Sequence, residues 1–252
     1  MKNKHYVNLL PALIGSLGIA CSVTRLGLYL LATDNKGLLI PGHPLNLFSW
    51  VLTAVAAALI FSMTWMLKGP NHYAGNFQPS AAAAIGSFAM AGGILLAVVS
   101  GWGSPVLLEQ LCSIAGILCI PALITAGIQR YLGKKPFFLL YALVCLYLTL
   151  YAITHYQIWS SLPQIQDWFF STAGIVSLIL FCYYQTAFCA DMGNRRLQMA
   201  TGLLAGYFCL SAITGGIDAA LHIGSAVWAL TNLCVMVPIK NSRPAAPEQD
   251  HE

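Results

Sequence analysis

Six side chains in this 252-residue chain have the types and spacing to do chemistry: Arg25, Tyr29, Glu109, His155, Asp218 and His222. Arg25 and Tyr29 are four residues apart, as are Asp218 and His222, so each pair shares one face of a helix. Together the six offer a cation, two carboxylates, a phenol and two imidazoles that titrate near neutral pH. Such a group can hold a charged solute or pass a proton. Each residue also has a plainer reading. Arg25 can snorkel to lipid headgroups or pair with Glu109 to set helix register. Asp218 can cap a helix, and His222 can be a hydrogen-bonded packing residue. Two ligands at Asp218 and His222 fall short of a zinc site, so no metal or other cofactor is expected.

These residues stand out because the rest of the chain is so apolar. Lys and Arg number 12 and Asp and Glu 8, only 8% of the residues, against about 25% in soluble domains. Hydrophobic residues make up 58%, and mean hydropathy is +0.72. So few charges cannot cover a water-facing surface, and a chain this apolar is not disordered. The sequence therefore reads as an integral membrane protein, in which an ionisable group within a span is costly and marks a site by default.

Eight apolar runs approach the roughly 20 residues needed to cross a bilayer: 7–31, 45–67, 80–101, 105–128, 136–157, 168–190, 196–214 and 218–239. Lipid offers the backbone no partners, so unalternating runs such as 51–60 must be helices. The expected fold is an all-α polytopic membrane bundle forming one domain over 1–240. The polar, Pro-containing tail 241–252 is expected to be disordered and cytoplasmic. The turns fit: Ser104 and Pro105 suit the start of span four, and Asp218 that of span eight.

Positive charge sets the orientation. Lys2, Lys4, Lys68, Arg130, Lys134, Lys135, Arg195, Arg196, Lys240 and Arg243 fall on one side of an eight-span reading. Lys36 alone falls on the other. The positive-inside rule puts both termini in the cytoplasm of a plasma-membrane protein. These charges need only headgroups as partners, so no nucleic acid is expected. Lys2 and Lys4 before an apolar run, with the box Leu17-Gly18-Ile19-Ala20-Cys21, resemble a cleavable leader; the run continues to Ala32, so an uncleaved first helix is expected.

Internal packing signals are weaker. Ala83, Ser87 and Ala91 form a small-residue row that buries span three against a neighbour. Gly116 and Pro121 suggest a kink in span four. Residues 26–49 align with 148–171 at an offset of 122, with six identities in 24, which is consistent with a 4+4 parallel repeat. All eight cysteines fall inside spans and read as small packing residues rather than a disulfide framework.

No phosphate loop, HExxH, CxxC or nucleophile elbow is present, and no enzyme activity is expected. Haem needs paired histidines at facing depths, and only His222 lies within a span. Two functions fit. The first is a carrier for a small molecule or ion, with its polar site in the outer half of the membrane. Asn232, Thr231, Gln185 and Thr186 could then line a path inward, although the paired Gly/Pro breaks of many carriers are missing. The second is a non-enzymatic membrane subunit, sensor or assembly factor acting through protein partners or a second copy.

Overall fold

The computed structural model describes residues 6–33, 40, 42–65, 67, 69–161, 165–215, 218–234 and 236. The expected tail disorder, the outer segment 34–39 and Lys2, Lys4, Lys36, Lys68, Lys240 and Arg243 lie outside the described residues. Eight α-helices are described: α1 (Tyr6–Leu31), α2 (Pro44–Trp65), α3 (Ala81–Gly101), α4 (Leu107–Tyr131), α5 (Phe138–Ser161), α6 (Ile165–Cys189), α7 (Arg195–Ala212) and α8 (Ala219–Cys234). Helices α1 to α6 are long and apolar enough to cross a membrane, and the chain is an integral membrane protein of helical-bundle type.

The remaining two helices depart from the eight equivalent spans expected. At 1.5 Å per residue α7 and α8 are about 27 and 24 Å long, slightly less than a hydrocarbon core of about 30 Å. Helix α7 also carries Arg195, Arg196, Gln198 and Thr201. Packing supplies the reason. Helices α3 to α8 each lie against the next, and α8 packs back on α3 to close a ring of six. Helices α1 and α2 attach outside that ring against α7, and α1 also reaches α8. Thus α7 and α8 face protein on several sides, and polar side chains there lie against other helices instead of lipid, although Gln198 and His222 make no side-chain hydrogen bond among the described residues. By contrast α2 touches little besides α1 and α7, and its Leu47, Val51, Val55 and Phe61 are exposed apolar residues suited to acyl chains.

Small residues allow the closest approach in the ring, between α3 and α8. Gly86 and Gly93 lie along the face of α3 that meets α8, whereas Ser87 lies against Gly127 of α4. A Cβ on Gly93 would sit 2.7 Å from the Ala220 carbonyl oxygen, and one on Gly224 would sit 2.5 Å from that of Ala89. Both obstacles are backbone and cannot swing aside. Cysteines knit other pairs: the Cys119 thiol donates to the Leu143 carbonyl (3.4 Å) and the Cys182 thiol to that of Tyr141 (3.1 Å). All eight cysteines are free thiols.

One end of the bundle carries the loops α2–α3, α4–α5 and α6–α7, and these loops bond to one another. The Tyr73 N–H donates to Asp191 (2.9 Å), whose carboxylate also pairs with Lys135. The Gly193 N–H donates to the Asn71 carbonyl (2.9 Å), and Phe77 forms an antiparallel bridge with Met236 beyond α8. This is the basic face anticipated from the charge pattern, but two of its arginines differ from the expectation. Arg130 and Arg195, read as topological charges near headgroups, are buried, with 1% and 2% exposure. The Arg130 Nη1 donates to the Tyr73 hydroxyl (3.0 Å), and its guanidinium lies 4.4 Å from the Phe77 ring centre. Arg195 donates from Nη1 to Asn76 Oδ1 (3.1 Å). The loop Tyr73–Phe77 folds over these cations and takes the place of headgroups.

Two outcomes test this architecture. Gly224→Val should lower stability by about 1–3 kcal/mol or more through overpacking against α3, read as a lower Tm in detergent, whereas the unconfined Gly92 should accept Ala without loss. The Lys135 ammonium and the Tyr73 N–H hold the Asp191 carboxyl below the usual carboxylate range. A depressed native value means that the stabilisation is present above the unfolded-state value of about 4 and is lost as pH falls through the native one. The Tm of the wild type should therefore drop more steeply than that of Asp191→Asn on acidification below about pH 5; parallel curves would show that the pair contributes nothing.

Candidate functional site

At the end of the bundle opposite the basic face, the ends of α3, α4 and α5 and the start of α8 surround a cavity of about 240 Å³. Glu109, His155 and Asp218 line it, along with Tyr147, Tyr151 and Cys112. Its rim shares Gly101 and Ser113 with a second cleft of about 310 Å³ lined by Trp102 and Gln110. Three of the six residues singled out in the sequence therefore meet, although they are far apart in the chain.

Helix geometry explains how each arrives. Helix α4 starts at Leu107, two residues later than the sequence suggested, with Val106 as a cap that makes no side-chain bond. Ser104 instead accepts from the Val106 N–H (3.2 Å) within the turn. Glu109 thus lies in the first turn, where the helix dipole favours a carboxylate. It makes no hydrogen bond or ion pair among the described residues, so the expected pairing with Arg25 does not occur.

Asp218 does not cap α8 with its side chain. Its backbone is left-handed, with φ of 54°, a conformation that costs a non-glycine residue about 1 kcal/mol or more. An ordinary N-cap is extended. The left-handed turn sends the carboxylate to α5, where it accepts from the Tyr151 hydroxyl and lies 3.6 Å from His155 Nε2. Only the Asp218 carbonyl serves the helix, accepting from the His222 N–H (3.1 Å). The His155 ring stacks on Tyr151, with centroids 3.9 Å apart. Its Nδ1–H donates to the Tyr151 carbonyl (3.0 Å), which leaves Nε2 as the nitrogen that faces Asp218.

The other three residues lie elsewhere. Arg25 is buried between α1 and α7, at 1% exposure. Its Nη1 donates to the Ser211 carbonyl and its Nη2 to the Tyr29 hydroxyl (3.3 Å), and its guanidinium lies 4.4 Å from the Phe170 ring centre. Neither snorkelling nor pairing with Glu109 describes it; Tyr29 helps to hold it inside the protein. His222 is fully buried in α8 one turn beyond Asp218, with neither ring nitrogen hydrogen-bonded among the described residues, and it does not line the cavity. The suggested inward path is closed: Gln185 Nε2 donates to Asn232 Oδ1 (3.2 Å) between α6 and α8, and Thr186 and Thr231 bond to their own helices.

Tyr147 was missed from the sequence. It is only 1% exposed yet lines the cavity, and its hydroxyl has no hydrogen bond among the described residues. Tyr147, Tyr151 and His155 lie four apart on α5, so the stripe was legible as a periodicity; that it bounded a cavity was not. No group of three or more His, Cys, Asp or Glu side chains among the described residues is placed to hold a metal ion.

The placement of Arg25 has a direct consequence. Arg25→Ala should cost about 2–5 kcal/mol through lost bonds and a new void, seen as reduced folding yield and Tm. Unchanged yield and Tm would show that Arg25 does not hold α1 to its neighbours. Comparison with protein-family models, curated proteins and solved structures finds no match to this chain.

Proposed function

We propose that the protein is a plasma-membrane carrier for a small molecule or ion and that the cavity opposite the basic face is its substrate site. One observation carries this reading: Glu109, His155 and Asp218, from three separate elements, surround one accessible space. Ionisable groups within a bundle are costly, and those that face a cavity are the ones function keeps.

In this reading the chain crosses the membrane at all eight helices, with α7 and α8 shielded by their neighbours and both termini cytoplasmic. The bridge from Phe77 to Met236, which returns the chain beyond α8 to the basic face, supports the even number. A 4+4 duplication is not part of the proposal. It would relate α6–α7 to α2–α3, and the first pair packs extensively whereas the second does not.

The residues divide the work. Glu109 is free to meet a solute. Asp218 is held by the Tyr151 hydroxyl and lies 3.6 Å from His155 Nε2. A solute that takes the Asp218 carboxylate would therefore compete with these two side chains, so that binding and rearrangement of the site are linked. Closure on the basic side falls to the Gln185–Asn232 bond and the buried arginines.

Uptake into proteoliposomes is the test, using a radiolabelled panel of amines, amino acids, carboxylates and inorganic cations. At least one solute should accumulate, and Asp218→Asn should cut its uptake by about tenfold or more, the factor expected for about 1.4 kcal/mol of lost charge stabilisation. If none accumulates, the carrier reading is overturned in favour of a membrane subunit that acts through partners.

A further inference from the structure

The cavity holds more information than its position, and its charge and walls identify a class of ligand. We infer that its ligand is a small organic ammonium ion, an inference that rests on the cavity being a solute site as proposed above. Two carboxylates line the space, and among the described residues no lysine or arginine does. The nearest buried guanidinium, that of Arg25, is engaged elsewhere by Ser211, Tyr29 and Phe170. An anion would therefore meet Glu109, which has no partner among the described residues, as well as Asp218, which is already held by Tyr151 and His155, whereas a cation supplies the charge that Glu109 lacks.

A second observation, independent of the acidic pair, points to an occupant. Tyr147 is a buried side chain on the cavity wall whose hydroxyl has no partner among the described residues. The hydroxyl is not sealed inside the protein but borders the open space of the cavity, where a ligand or the water that accompanies it can hydrogen-bond to it. The ring itself adds a π face next to that of Tyr151, with centroids 6.0 Å apart. Aromatic faces beside a carboxylate are the surroundings in which alkylammonium groups are held.

The same features argue against a bare metal cation. The ionisable side chains do not converge as a three-ligand set, and Val98 and Ala97 supply apolar wall that a metal ion has no use for. Size sets the other limit. The volume of about 240 Å³ is below the range of about 300–1,000 Å³ that suits drug-sized ligands. The adjoining cleft with Trp102 at its rim offers a further aromatic surface along the approach.

Three probes of nearly the same shape separate the charge classes: choline, its neutral isostere 3,3-dimethylbutan-1-ol, and the anion 3,3-dimethylbutanoate. Calorimetry on the full chain in detergent or nanodiscs should show saturable binding of choline, with the neutral isostere about tenfold weaker or more and no binding of the anion. Glu109→Gln should remove most of the difference between choline and the isostere. Glu109 has no bond to lose, so this variant should fold as the wild type does, and the wild-type comparison of the three probes stands without any variant. Equal binding of choline and its isostere, preference for the anion, or no binding of choline overturns the assignment. Binding of the neutral or anionic probe as tight as that of choline or tighter, at this cavity, would remove only the cation class and leave a solute site. Choline binding without uptake of any solute would keep the ammonium site and remove the carrier.

Discussion

Hydrocarbon cannot hydrogen-bond, and this constraint arranges the whole molecule. A polar side chain on a span is stable only where another helix, a loop or a water-filled space meets it. Helix α7, the least apolar of the eight, is consequently wrapped by α1, α2, α6 and α8, and its Gln198, Thr201 and Ser211 are buried. The strongly apolar α2 can stay at the edge with most of its surface turned to lipid. Closing the ring then depends on α3 and α8, whose glycines let two backbones approach more nearly than any larger residue would allow.

The two ends of the bundle treat charge differently. At the basic face every described buried cation has a donor–acceptor or ring partner, and the three loops that bear them are tied into one layer through Asp191, Asn76 and Tyr73. That layer fixes the helix ends rigidly. At the opposite face Glu109 is unpartnered among the described residues and the helices separate around a cavity. Left-handed backbone at a non-glycine residue occurs at both ends, at Asp191 and at Asp218, and at each the turn places a carboxylate on partners from another element.

How much of this was legible in the residues differs from one position to the next. Composition and the length of apolar runs decide that the chain spans a membrane, because each run must satisfy its own backbone. The lysines and arginines decide which ends lie together, and the bonds among the three basic-face loops agree with that count. The burial of α3 also followed from its small residues, since small side chains have no other reason to crowd one face.

Pairing across the bundle was not legible, because helix spacing reports only neighbours within a helix. Arg25 and Glu109 have opposite charge, yet they sit at different places, Arg25 against Ser211, Tyr29 and Phe170 and Glu109 on the cavity wall. Asp218 has the sequence context of a helix cap; a single positive φ turns it toward Tyr151 and His155. Tyr147 looks like any packing aromatic until α4 and α5 leave a space beside it. The sequence by itself determined the membrane, the helices and which loops share an end of the bundle, all of which depend on local hydropathy and charge. The tertiary structure decided which of the few ionisable groups face a common space, because that depends on helix rotation and crossing, to which residues from the whole chain contribute.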